Sequence, residues 1–185
     1  MVCLSSVIHM AASLLCCIVQ LSIGSMMSSV PPKICPCQPA ISSAWRYDDC
    51  CQPIHADICC ADSPERLMRA RFSAFCLGLT DFLIDSWDTT SCPSRASLEA
   101  LGPRWLALEV IESEQCGNDG MVRFQATFFE QGNFQQLQEL SRFRHDGHHW
   151  RYIDGDATWL TLNVGRNDAC PCQSGKKMKR CCMTK

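Results

Sequence analysis

The residues of this chain best suited to chemistry are cysteines, and they come in two sets of four with a matching layout. Toward the C-terminal end, Cys170-Pro171-Cys172 is followed after eight residues by Cys181-Cys182; toward the start, Cys35-Pro36-Cys37 is followed after twelve by Cys50-Cys51. A Cys-x-Cys step and a vicinal pair across a loop can close four thiolates around one ion. Zinc is the usual occupant of such a set, because it is thiophilic, tetrahedral and redox-silent. The spacing therefore reads as two zinc ions, one on Cys170, Cys172, Cys181 and Cys182, the other on Cys35, Cys37, Cys50 and Cys51.

Four thiolates on one zinc carry a formal charge of about −2, which backbone N–H groups and nearby cations must offset. The C-terminal loop supplies both: Gly175 permits a tight turn, and Lys176, Lys177, Lys179 and Arg180 come after it. The vicinal pairs impose a condition. Neighbouring side chains of an extended chain point to opposite sides, so Cys181 and Cys182 both ligate only where the backbone is turned or helical. Otherwise one of them serves together with an outside ligand. The N-terminal loop is four residues longer and lacks the Gly and Lys run. It holds Trp45, Tyr47, Asp48 and Asp49, and Cys59-Cys60 nearby offers competing ligands.

The chain has 185 residues and sixteen cysteines. Such a count in a short secreted chain would suggest a disulfide scaffold. The clustering argues for metal instead, and thiolates that hold zinc stay reduced, which implies a cytoplasmic protein. Cys76 and Cys92 read as ordinary small apolar or surface residues. A net charge of −2 excludes a whole-molecule basic field for steering to nucleic acid. Residues 1–33 form an apolar leader without Lys or Arg before Lys33. It lacks the basic start of a secretory signal and falls short of the ~20 apolar residues of a membrane span, so no stable membrane insertion is expected. Either translation starts at Met26 or Met27, or the segment is a targeting sequence.

The chain divides into four regions: the leader at 1–33, a cysteine module at 34–61, one α+β domain at 62–164 and a second cysteine module at 165–185. In the middle domain Ser63 caps a helix, Pro64 suits its first position, Glu65 complements its dipole and Gly78 ends it. Met68, Phe72, Phe75 and Leu79 form its apolar stripe. Thr80 caps a second helix bearing Leu83 and Trp87 on one face, and a third runs over 96–101 before Gly102-Pro103. The period then changes to two. Leu106, Leu108 and Val110 alternate, as do Val122, Phe124, Ala126 and Phe128. Gly132-Asn133 turns the chain, Leu137, Glu139, Ser141 and Phe143 share a face, Asp146-Gly147 makes a hairpin, and Trp150, Tyr152 and Asp154 alternate after it. Helices followed by four strands predict an antiparallel meander packed on the helices.

Within that domain Glu139, Ser141, Tyr152 and Asp154 share the inner face of the predicted sheet. A carboxylate in an apolar cleft would suit a general base; the plainer reading is an ion pair of Glu139 with Arg69 or Arg71, since buried carboxylates are paired. His145, His148 and His149 flank the hairpin turn, where side chains are solvated more often than ligating.

The run from Cys170 to Cys182 resembles the SEC-C motif, the zinc module at the C-terminus of the SecA translocation ATPase, with Cys182 where histidine is the common last ligand. The whole of 34–185 resembles the bacterial YchJ family through Leu67-Met-Arg-Ala-Arg-Phe72, Ser141-Arg-Phe143, Tyr152-Ile-Asp-Gly155 and Gly165-Arg-Asn-Asp168. Gln38 and Gln173 stand where glycine is usual. The resemblance implies a nuclear transport factor 2-like (cystatin-like) middle domain between zinc modules. By analogy with the SecA module, which contacts the chaperone SecB, it implies a protein-binding role. We read the chain as a non-enzymatic interaction protein, whose bases Lys176, Lys177, Lys179 and Arg180 either meet an acidic protein surface or nucleic-acid phosphates or only balance the thiolate charge. A middle-domain ligand pocket, with or without catalysis, and a thiol redox or zinc-linked sensor are the alternatives.

Overall fold

The computed structural model describes residues 34–38, 45–100 and 102–182; the expectations for the leader lie outside them. Among the described residues four α-helices precede four strands: α1 Gln52–Ala56, α2 Pro64–Leu77, α3 Thr80–Asp85, α4 Arg95–Glu99, then β1 Arg104–Cys116, β2 Asp119–Glu130, β3 Asn133–His145 and β4 Trp150–Leu162. The strands form one antiparallel sheet in the order β1-β2-β3-β4, the expected meander. Among the described residues no helix is long and apolar enough to cross a membrane.

Helix α2 begins and ends as its local sequence dictates. The Ser63 hydroxyl accepts from the Arg66 N–H, Pro64 takes the first position, and Gly78 ends the helix with φ of 69°, a left-handed conformation open to glycine. The helix carries more buried surface than its apolar stripe predicts. Met68 and Phe72 pack toward the sheet, and Leu67, Ala70, Ser73 and Ala74 are fully buried as well. Their side is covered by the N-terminal cysteine module, so α2 lies between two layers. The remaining helices differ in detail from expectation. Thr80 sits inside α3, with Leu79 at the cap position and no side-chain cap. Trp87 lies beyond α3, edge-on to Tyr152. The third helix starts earlier than expected, capped by Ser94 and ending at Glu99.

On β2 the predicted face is intact: Val122, Phe124, Ala126 and Phe128 are all buried. Three register shifts break the alternation elsewhere, one of them between Val110 and Glu112. A register shift between Trp105 and Ala107 places Trp105 and Leu108 in the main core and Leu106 in a second cluster behind the sheet. Another shift pairs Phe143 with Tyr152 but Arg142 with Asp154, so Ile153 is the extra residue. Asp154 therefore leaves the inner face and pairs with Arg142 at 2.5 Å. A bulge adds one residue to one strand and reverses the facing of the residues beyond it. The β2–β3 turn is centred on Gln131-Gly132, both with positive φ (49° and 84°), one residue earlier than expected.

Between sheet and helices lies one polar network. The Glu139 carboxylate accepts hydroxyl protons from Ser141 (2.6 Å) and Tyr152 (3.0 Å) at a single oxygen. The expected direct ion pair is absent among the described residues: Arg69 pairs with Glu65 at 2.7 Å, on the other side of α2. Arg71 donates to Ser86 Oγ at 2.5 Å and stacks on Trp87 and Tyr152 at 4.3 and 4.5 Å. Burial lowers its pKa to about 10. Arg71 and Glu139 are thus linked through the Tyr152 side chain, whose ring lies under the guanidinium and whose hydroxyl reaches the carboxylate. Gly155 makes room for this: a Cβ there would overlap the Glu139 carboxylate. Gly155→Ala should displace Glu139, break both hydroxyl contacts and destabilise the fold by about 1–3 kcal/mol in urea unfolding. In a Glu139→Ala background the same substitution should cost a few tenths at most, because the clash partner is gone.

Candidate metal centres

The two cysteine modules are built on one backbone plan. In each, an isolated bridge precedes the first cysteine: Ile34 with Arg46, and Ala169 with Lys177. The N–H of the first cysteine then reaches across, Cys35 to the Trp45 carbonyl at 3.1 Å and Cys170 to the Lys176 carbonyl at 2.8 Å. The Cys-x-Cys step closes as a turn, with Gln38 N–H on Cys35 O and Gln173 N–H on Cys170 O at 2.9 and 3.1 Å. A single 3-10 turn comes next, Tyr47–Asp49 in one module and Met178–Arg180 in the other. The first of each vicinal pair then sits at an irregular corner: Cys50 at φ −119°, ψ −85° and Cys181 at φ −140°, ψ −104°. Cys51 is helical, at the N-cap of α1. This is the turned backbone that lets both members of a vicinal pair face one point.

All four sulfurs of each tetrad lie within 4.8 Å of one another. In the N-terminal set, Cys37 is 3.5 Å from Cys35 and Cys50 and 3.6 Å from Cys51, and Cys50 is 3.9 Å from Cys51. In the C-terminal set, Cys172 is 3.4 Å from both Cys170 and Cys181. A regular tetrahedron with Zn–S of about 2.3 Å has S–S edges of about 3.8 Å, so a zinc-sized ion fits either set with shifts of a few tenths of an ångström. The thiols of Cys37, Cys50 and Cys51 converge on the Cys35 sulfur and hold it far below the usual thiol range, while their hydrogen bonds to Cys35 push Cys37 and Cys51 above it; the tetrad alone does not ionise all four sulfurs, and a bound cation is what would ionise the others.

The supports differ. The N-terminal tetrad is at most 2% exposed. Arg66 donates to the Cys50 carbonyl at 3.3 Å, and Arg69 lies 3.5 Å from the Cys37 carbonyl. Gln38, where glycine is usual, turns its amide toward Cys37 and Cys50 at 3.5 and 3.9 Å. In the C-terminal tetrad Cys170 is buried and the other three are half-exposed. Here Gln173 takes a positive φ of 56°, where a glycine would be unstrained. This module packs through Cys170 and Met178 onto Phe134, with Leu106, Phe129, Leu162 and Val164 around them, behind the sheet. The cluster with the poorer loop in sequence is the more deeply embedded one, and α2 adds its support to that of Gln38 from the loop.

The other expected features fall elsewhere. Cys59 and Cys60 form a separate 3-10 turn outside the tetrad. His145, His148 and His149 join no metal-competent cluster among the described residues. Asp146 instead accepts from the His148 and His149 N–H groups at 2.9 and 3.0 Å. Cys116, which belongs to neither tetrad, is disulfide-bonded, whereas the eight clustered cysteines are not bridged. No motif marks His55. Its Nε2 is 2.8 Å from the Ala70 carbonyl and its Nδ1 is 2.7 Å from the Tyr47 hydroxyl. It ties the N-terminal module to α2 as a neutral imidazole.

Burial, opposed by the Ala70 carbonyl, holds His55 below its ordinary value of 6.5. The unfolded chain therefore takes up this proton first, so stability is full above the unfolded pKa and is lost as pH falls below it. Urea unfolding at about pH 7.5 and about pH 5.5 should show this loss, and His55→Gln should shrink it while lowering stability at the higher pH.

Comparison with known proteins agrees with this architecture. The family described as YchJ, middle NTF2-like domain, matches residues 63–155, and the SEC-C motif matches residues 166–184. A UPF0225 protein of Vibrio cholerae serotype O1 is 40% identical over 141 residues, covering 74% of this chain and 93% of the relative. The UPF0225 protein YchJ of Shigella dysenteriae serotype 1 is 38% identical over 156 residues, covering 81% and 97%. Two solved structures share the fold. A SEC-C motif containing protein from Psychrobacter arcticus has a TM-score of 0.58 at 29% identity, covering 82% of this chain and 96% of that one. Another, from Rhodopseudomonas palustris, has a TM-score of 0.61 at 32% identity, covering 68% and 99%. With a nuclear transport factor 2-like middle domain, a C-terminal SEC-C motif and relatives matched over most of their length, the chain belongs to the YchJ (UPF0225) family.

Proposed function

We propose that each tetrad holds one zinc ion as a closed structural site, and that the chain is an interaction protein whose C-terminal module presents a basic face to an acidic surface on a protein partner. The convergence of four thiols at both ends, all within 4.8 Å of one another, carries the zinc reading. Cys35, Cys37, Cys50 and Cys51 are the ligands of one ion, and Cys170, Cys172, Cys181 and Cys182 of the other. Four protein ligands fill a tetrahedral shell and leave no position for substrate, which suits a staple rather than a catalyst. Modules this small lack a core of their own, so the metal supplies folding energy.

The basic face supports the partner reading. Lys176, Lys177 and Arg180 are exposed, and Lys179 N–H bonds the Arg166 carbonyl at 3.0 Å, which brings Arg166 beside them. None of these five side chains is in an ion pair among the described residues. They exceed the charge of about −2 on a four-thiolate zinc centre, so positive potential remains on a chain of net charge −2.

Protein prepared without metal-binding tags should carry about two zinc ions per chain, and Cys172→Ser should remove about one. Retention of both ions in that variant would remove Cys172 from the ligand set. For the partner, immobilised wild type should retain a protein from cell extract in a salt-sensitive manner. The Lys176→Glu/Lys177→Glu/Arg180→Glu variant, still loaded with zinc, should lose it. Loss of the captured material on nuclease treatment would assign the face to nucleic acid instead.

A further inference from the structure

Among the described residues, the N-terminal tetrad draws one polar contact from its own module, the Gln38 amide on Cys37 and Cys50, and another from outside it. Among the described residues, the hydroxyl that meets its sulfurs comes from Ser73 in the third turn of α2. Ser73 Oγ donates to Cys51 Sγ at 3.3 Å and lies 3.5 Å from Cys35 Sγ. These contacts span 22 and 38 residues of chain. Ser73 is 0% exposed, so its hydroxyl is shielded from bulk solvent, and sulfur is where it points in this structure. The C-terminal tetrad has a hydroxyl at the matching chemical position, Ser174 Oγ at 3.2 Å from Cys181 Sγ, but that serine belongs to the module's own loop.

A donated hydrogen bond spreads the charge of a metal-bound thiolate and fixes the orientation of its lone pairs. Outer partners of this kind change metal affinity by about 10–100-fold. Burial strengthens the effect, because the low-dielectric surroundings leave an unassisted thiolate poorly solvated. Ser73 lies on the same face of α2 as Arg66 and Arg69, which meet the Cys50 and Cys37 carbonyls; the spacing of three and four residues aligns all three along the helix. We infer that Ser73 is a positioning residue of the N-terminal metal site, and that this site is finished by the middle domain as well as by the module that supplies its thiols. The inference rests on the zinc reading above and adds to it a dependence of one site on helix α2.

Zinc affinity in the full chain, by competition with a chromophoric chelator, tests this, together with the sulfur-to-metal charge-transfer band after cobalt substitution. Cys172→Ser provides a background in which the N-terminal site is read alone. Ser73→Ala should weaken that site about 10–100-fold and shift its cobalt band, with the C-terminal site unchanged in the full chain. Ser73→Thr and Ser73→Val have the same shape and differ by one hydroxyl. Thr should restore binding toward the wild type and Val should not, and this pair decides the matter if the alanine variant folds poorly. Affinity within twofold of wild type in both Ala and Val variants, or equal losses in Thr and Val, would overturn the role of the hydroxyl. Absence of zinc from the N-terminal tetrad of the wild type would instead overturn the zinc reading itself.

Discussion

Helix α2 is buried on two sides, and the remaining architecture depends on that. Its sheet-facing side carries Met68, Phe72 and Arg71; its other side carries Arg66, Arg69, Ala70 and Ser73 against the N-terminal cysteine module. The helix is nonetheless not fully apolar, because polar groups of both neighbours are buried against it and need hydrogen-bond partners. It meets them with two arginines on module carbonyls, one backbone carbonyl on His55, one hydroxyl on sulfur, and one guanidinium stacked between Trp87 and Tyr152. Any change in the position of α2 is therefore felt at both the inner face of the sheet and the N-terminal tetrad.

The two modules show how one local plan serves two settings. Both use a bridge, a Cys-x-Cys turn, a 3-10 turn and a cornered vicinal pair. The residues on that plan differ in character. The 3-10 turn is Tyr47-Asp48-Asp49 in the first and Met178-Lys179-Arg180 in the second. Asp48 and Asp49 are engaged by Arg46 at 3.2 and 3.9 Å, whereas the bases of the second module have no such neighbour among the described residues. The first module directs its contacts inward, onto the main core. The second seats Met178 behind the sheet and leaves its charge outward, which suits a contact surface.

In the middle domain the chemistry of the concave face is internal. Glu139 accepts two hydroxyl protons, and Arg71 is balanced by aromatic faces and by Ser86. The absence of a direct Arg–Glu bond results from the Tyr152 ring, which occupies the space beside the guanidinium while its hydroxyl reaches the carboxylate. The notch at Gly155 receives Glu139 and orients it toward Ser141 and Tyr152.

The sequence by itself determined whatever is encoded within a few residues. The eight thiols were legible because ligand spacing is local. The limits of α2 were legible because Ser63, Pro64 and Gly78 act on their own turn of helix, and the meander was legible because alternation over a strand requires no partner. Tertiary structure decided what depends on a neighbour distant in the chain. Ser73 and His55 read as ordinary residues until α2 and the first module are packed together. Leu106 and Asp154 read as core-facing until a bulge, fixed by pairing with the adjacent strand, turns each to the opposite side of the sheet. The first tetrad read as the poorer site because its loop lacks the Gly and Lys run. Arg66, Arg69 and Ser73 on α2 add to what Gln38 supplies from the loop, and only the packed fold brings them to the tetrad.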